Sequence, residues 1–198
     1  ADINFYYNMV DGIWNALIGH FPDLNDVDKR VDMRSPNEPL DSLGKMDHLF
    51  LRPRPQIEIM AKLIRHLIES RLSTDGFIDN DEIGNFSLEQ YSEALKPLTW
   101  IDWDMRKPPF MNLILVNNST EPGETNYVMT EGATSVGERM AAAYEVCLFL
   151  IDDKQSYQPR AISRLSATAR GAGEFNTQND ANEWWDKVLE IKNNMNYD

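Results

Sequence analysis

Thiols and imidazoles are nearly missing from this 198-residue sequence, which holds one cysteine, Cys147, and three histidines, His20, His48 and His66. A lone cysteine excludes an intramolecular disulfide and any zinc site built on several thiolates. The histidines are scattered, and no His-x-x-x-His or Glu-x-x-His pair places two ligands on one helix face. Cys147 sits in the apolar run "YEVCLFLI", surroundings that hold a thiol protonated and unreactive. A Gly-x-Ser-x-Gly elbow is also missing. "RGAGEF" has neither the spacing of a dinucleotide fingerprint nor the Gly-Lys-Ser/Thr ending of a P-loop. No catalytic residue and no cofactor are expected.

Two further shortages bound the partners. No apolar run approaches the ~20 residues that cross a bilayer, so a membrane partner is not expected. No signal segment opens the sequence, and Ala1 reads as the residue left when an initiator methionine is removed. These features predict a cytoplasmic, reducing compartment or a virion. Basic residues are outnumbered, 19 Lys and Arg against 32 Asp and Glu, for a net charge of -13. Such a field repels a polyanion at long range and confines any nucleic-acid contact to a local patch.

What remains is the composition of a folded domain, 42% hydrophobic with five tryptophans. Helical spacing of Ile3, Tyr6, Met9 or Val10, Ile13 and Leu17 predicts a first helix, widened by Phe5, Tyr7 and Trp14 and ended at Phe21-Pro22. Residues 23–54, with Pro36, Pro39 and Pro53 inside and Pro55 just beyond, are expected to form an extended arm or surface loop. A second helix is predicted from Pro55 to about Leu72, with Ile57, Met60, Leu63 or Ile64, Leu67 and Ile68 buried. Capping boxes at Ser87/Gln90, Ser135/Glu138 and Asp180/Glu183 open three more helices, and Pro159 opens another through Arg170. "LTWIDW", "FMNLILV" and "NYVMT" read as strands. The expected fold is therefore mainly α (α+β), a single domain over residues 1–198 with a small antiparallel sheet or hairpin near 98–130.

Three clusters carry candidate chemistry. "RLSTDGFIDNDEIGN" mimics a calcium loop with Asp75, Asp79 and Glu82 at ligand positions. Arg71, however, stands where the first ligand oxygen belongs. Asp102 and Asp104, two apart on an expected strand, would share a face and could serve a metal-dependent phosphodiester hydrolase. Arg160, Arg164 and Arg170 lie in a stretch free of acids and suit phosphate or an acidic partner, including nucleic acid held passively. The leading expectation is a non-enzymatic assembly or interaction subunit, a homo-oligomer or protein-binding component of virion type. It rests on the arm, on the aromatics Tyr6, Tyr7, Trp184 and Trp185, and on the missing catalytic signature.

Overall fold

The computed structural model describes residues 3–25, 53–72, 86–104, 107–111, 113, 115–117, 119, 121–124, 127–129, 136–152 and 178–198. Among these, α-helices dominate: α1 (Ile3–His20), α2 (Pro53–Arg71), α3 (Leu88–Leu95), α4 (Val136–Ile151) and α5 (Gln178–Asn193). Short 3-10 turns follow α1 (Pro22–Asn25) and α3 (Lys96–Trp100).

The mainly helical class is what the structure shows, while the sheet shrinks. Leu98–Trp100 is 3-10 helix and Ile101–Asp104 lies outside any strand, so "LTWIDW" is not a strand. Among the described residues only β1 (Leu115–Asn117) and β2 (Tyr127–Met129) pair, antiparallel, with Val116 opposite Val128. A three-residue ladder is too small to act as a layer. The α+β expectation therefore reduces to mainly α.

The cause at Leu98 is local. Ser87 and Gln90 form the expected capping box, the Ser87 amide donating to Gln90 Oε1 at 2.8 Å and the Gln90 amide to Ser87 Oγ at 3.2 Å. Pro97, lacking an amide hydrogen, then ends α3 and tightens the chain into a 3-10 turn. Ile101 and Trp103, both 4% exposed, dive into the core, and Trp103 Nε1 donates to the Leu98 carbonyl at 2.9 Å. That return contact bends the segment back on itself, which an extended strand cannot do.

Other boundaries shift as well. Helix α2 begins at Pro53 rather than Pro55, since both prolines suit a first turn whose amides need no partner. Helix α5 begins at Gln178, so Asp180 and Glu183 lie inside it and are not its cap. Of the expected arm, Asp23–Asn25 belong to a 3-10 turn and Pro53–Arg54 to α2, with 26–52 outside the described residues. The helix expected over 159–170 also lies outside them.

Helix α4 supplies the middle of the core: Ala143, Val146 and Cys147 are fully buried, and it packs on α2, α5 and the second 3-10 turn. Ile59, Leu63 and Leu67, one row of i, i+4 spacing, form the α2 contribution, while Ile57 points outward, half exposed. Trp184 and Trp185, expected at the surface, are instead buried. Trp184 Nε1 donates to the Met111 carbonyl at 2.9 Å, and Trp185 lies against Phe149 with ring centroids 5.1 Å apart.

Helix α1 packs on α3 through an unusually close approach. A Cβ at Gly12 would stand 2.4 Å from Tyr91 Cε2 and 2.6 Å from Cδ2. The Tyr91 ring is buried and held edge-on by Phe86, centroids 5.9 Å apart, so it has no room to yield. His20 Nε2 lies 2.6 Å from the Ser92 carbonyl and ties down the far end of the same pair. Gly12→Ala should lose about 1–3 kcal/mol to overpacking, outweighing about 1 kcal/mol of gained helix propensity. Gly19→Ala, where an added Cβ meets nothing within 4 Å, should be neutral or stabilising. Urea denaturation of the two variants checks the opposite signs.

Candidate functional site

The expected site residues separate once placed. Arg160, Arg164 and Arg170 lie outside the described residues, as do Asp75, Asp79 and Glu82 of the calcium-like loop. Arg71, the first position of that loop, is the last residue of α2.

Asp102 and Asp104 are described, and they do not share a face. Asp102 is exposed and organises a turn: its Oδ1 accepts the Asp104 amide at 3.0 Å and its Oδ2 accepts Lys107 Nζ at 2.9 Å. The Lys107 amide closes the same turn on the Asp104 carbonyl at 3.0 Å. The Asp104 side chain is fully buried. With one carboxylate in water and the other in the core, the pair is not displayed as the strand reading expected. Among the described residues no group of three or more His, Cys, Asp or Glu is placed to hold a metal ion.

Two clefts of about 550 and 520 Å³ flank Trp100. Its ring stands perpendicular to that of Tyr197, centroids 5.1 Å apart, and Tyr197 lines the second of them. Tyr197 is positioned by the end of α4: its hydroxyl donates to the Leu150 carbonyl at 2.7 Å. Lys192 Nζ donates to the Phe149 and Asp152 carbonyls and lies 4.3 Å from the Phe149 ring centroid. A cation at a helix C-terminus satisfies otherwise orphaned carbonyls and opposes the helix dipole.

The first cleft has an apolar floor of Ile101, Leu150, Ile191 and Met195, with the Asp102–Lys107 ion pair at its edge. The second gathers His66, Ser70 and Asp152, residue types of a hydrolytic triad that the sequence did not flag because Asp152, just past the end of α4, is far along the chain from the α2 pair. Ser70 Oγ lies 3.5 Å from the Leu67 carbonyl of its own helix, and no hydrogen bond among the described residues joins it to His66. Nucleophile and base are therefore not engaged. Cys147 is no alternative, because complete burial pushes its thiol pKa far up.

The feature that stands apart is on α1. Ile3, Tyr7, Val10 and Trp14 are 67%, 67%, 59% and 42% exposed. Their spacing of four, three and four places them on one line along the helix. This is the side opposite Gly12 and Ala16, which face the core. The helix is apolar on two sides and buries only one. Asn4, Asp11 and Asn15 border the stripe, all exposed. Patches at this scale, roughly 300–600 Å² on monomeric proteins, are often functional.

The chain finds no match among protein-family models, curated proteins or solved structures. Its function must be reasoned from these surfaces alone. No described helix is long and apolar enough to cross a membrane.

Removing the Asp102 side chain deletes one turn hydrogen bond and one exposed ion pair. Asp102→Ala should cost about 0.5–1.5 kcal/mol, nearly all from the backbone contact, as read by urea denaturation. Asp102→Asn, which keeps an acceptor, should recover most of it. A pH dependence also follows. Burial raises the pKa of Cys147, Tyr91 and Tyr144, so the folded chain holds these protons more tightly than the unfolded one. Their stabilising contribution is complete below the unfolded values, about 8.5 for a thiol and 10 for a phenol, and is lost as pH rises past them. The melting temperature should fall steadily from pH 8 to 11. Cys147→Ala should remove the earliest part of that fall.

Proposed function

We propose that the protein is a non-enzymatic assembly or interaction subunit, acting by contact with other macromolecules in the manner of virion- and phage-type structural proteins. One observation carries this reading: the exposed stripe of Ile3, Tyr7, Val10 and Trp14 on α1. Large apolar side chains in water are costly, and a soluble chain that keeps four of them in line gains stability only when something covers them. Aromatic anchors of this kind supply most of the energy of protein interfaces. The helices share one hydrophobic core, which supports a single domain with the stripe on its outer surface.

The competing reading, a metal-dependent phosphodiester hydrolase on Asp102 and Asp104, takes little support from a buried carboxylate beside one already spent on a turn. The unengaged Ser70 in the second cleft likewise gives no support to hydrolysis by a triad.

Sedimentation equilibrium of the full chain across the micromolar range tests the proposal. The apparent mass should climb above the 22.8 kDa of one chain as concentration rises. A single species of that mass at every concentration would count decisively against it.

A further inference from the structure

We propose that the second cleft beside Trp100 binds a small zwitterion, a free α-amino acid with an apolar side chain. The end of α2 takes its carboxylate and Asp152 its ammonium. This goes beyond the assembly reading, and the cleft takes no residue from α1.

The donors gather on one wall. His66, Ser70 and Arg71 come from the last turns of α2, with His66 and Ser70 four apart on one face. A guanidinium offers five N–H donors. Arg71 spends one, in a long 3.5 Å contact to the Glu93 carbonyl. Ser70 Oγ is also only loosely held, 3.5 Å from the Leu67 carbonyl, and His66 makes no hydrogen bond among the described residues. A guanidinium fork beside a hydroxyl and an imidazole suits a carboxylate. The α2 dipole opposes an anion here, but a two-point guanidinium contact outweighs that half charge. Lys192 is no rival cation. Its three ammonium hydrogens go to the Phe149 and Asp152 carbonyls and the Tyr197 hydroxyl.

Asp152, just past the end of α4, brings the opposite charge to the same cleft, and it forms no ion pair with Arg71. A carboxylate has about four acceptor sites, so an ammonium can join the contacts Asp152 already makes. A ligand with only a negative charge would meet Asp152, and one with only a positive charge would meet Arg71. A molecule carrying both satisfies both. Trp100, Leu67, Pro97 and Ile151 supply the apolar part of the lining and suit an apolar side chain. The volume of about 520 Å³ lies within the roughly 300–1,000 Å³ of small-molecule sites. The first cleft differs in the point that matters. Its Asp102 and Lys107 charges already neutralise each other at 2.9 Å.

Titration calorimetry of the full chain tests this with L-phenylalanine and L-leucine. The controls are their one-charge counterparts: 3-phenylpropanoate and 4-methylpentanoate lack the ammonium, 2-phenylethylamine and 3-methylbutylamine the carboxylate. At least one amino acid should bind, about tenfold or more tighter than either of its counterparts. Arg71→Gln should weaken that amino acid about tenfold without weakening its amine counterpart. Asp152→Asn should weaken it similarly without weakening its acid counterpart. Both positions are exposed, so the melting temperature of each variant should stay near that of the wild type. Silence from both amino acids at millimolar concentration would overturn the proposal. So would counterparts that bind as tightly as the amino acid, or affinity that ignores either substitution. A loss of binding matched by a lower melting temperature would mark these side chains as structural and would overturn it too.

Discussion

The approach of the Tyr91 ring to Gly12 is the contact that decides which side of α1 the chain buries. Helix α1 is apolar around most of its circumference, so hydrophobicity alone does not decide which side it buries. The missing Cβ does. Only at Gly12 can the aromatic ring of α3 come so near the α1 backbone, and this fixes the rotation of the helix about its axis. Once Gly12 and Ala16 face inward, Ile3, Tyr7, Val10 and Trp14 must face outward. The hydrogen-bonding distance between His20 and Ser92 holds the same rotation at the last residue of the helix. A packing detail inside the chain thereby sets which apolar side chains of α1 stand at its surface.

Elements with strong local signals were legible in the sequence. The Ser87/Gln90 box, the apolar density of α4 and the α1 periodicity each lead to a helix that the structure contains. Signals that depend on tertiary context misled. "LTWIDW" has strand composition, yet Pro97 and the Trp103 bond to the Leu98 carbonyl make it a turn. Trp184 and Trp185 count in the sequence among the aromatics available for contacts. They are nevertheless both buried, since α5 lies between Phe149 of α4 and the Met111 segment. Helix α1 shows another limit: its periodicity predicts the helix but not which of its apolar residues face outward, and Ile3, Tyr7, Val10 and Trp14 do.

The acidic pair illustrates why motifs need geometry. Spacing of two implies a common face only if the backbone is extended. Here Asp102 folds its side chain back to the Asp104 amide, a local bond that competes with strand formation and is typical of turns. Asp104 is then carried inward. Asp104 and Arg139 are the charged side chains buried among the described residues, and both have interaction partners. Charges withdrawn from water require such compensation, so burial of this kind speaks for a structural role.

Surface charge and surface apolarity divide the labour of this chain. A net charge of -13 sets up long-range repulsion between like-charged bodies. Helix α1 has Asp11 as its one formal charge and exposes Ile3, Tyr7, Val10 and Trp14, so covering it would meet little of that repulsion and would gain from excluding water. Those two terms respond oppositely to ionic strength: repulsion between bodies fades over a Debye length, while burial of Tyr7 and Trp14 does not. A contact through α1 would need no charged complement, and its response to salt would set it apart from any contact made through acidic surface.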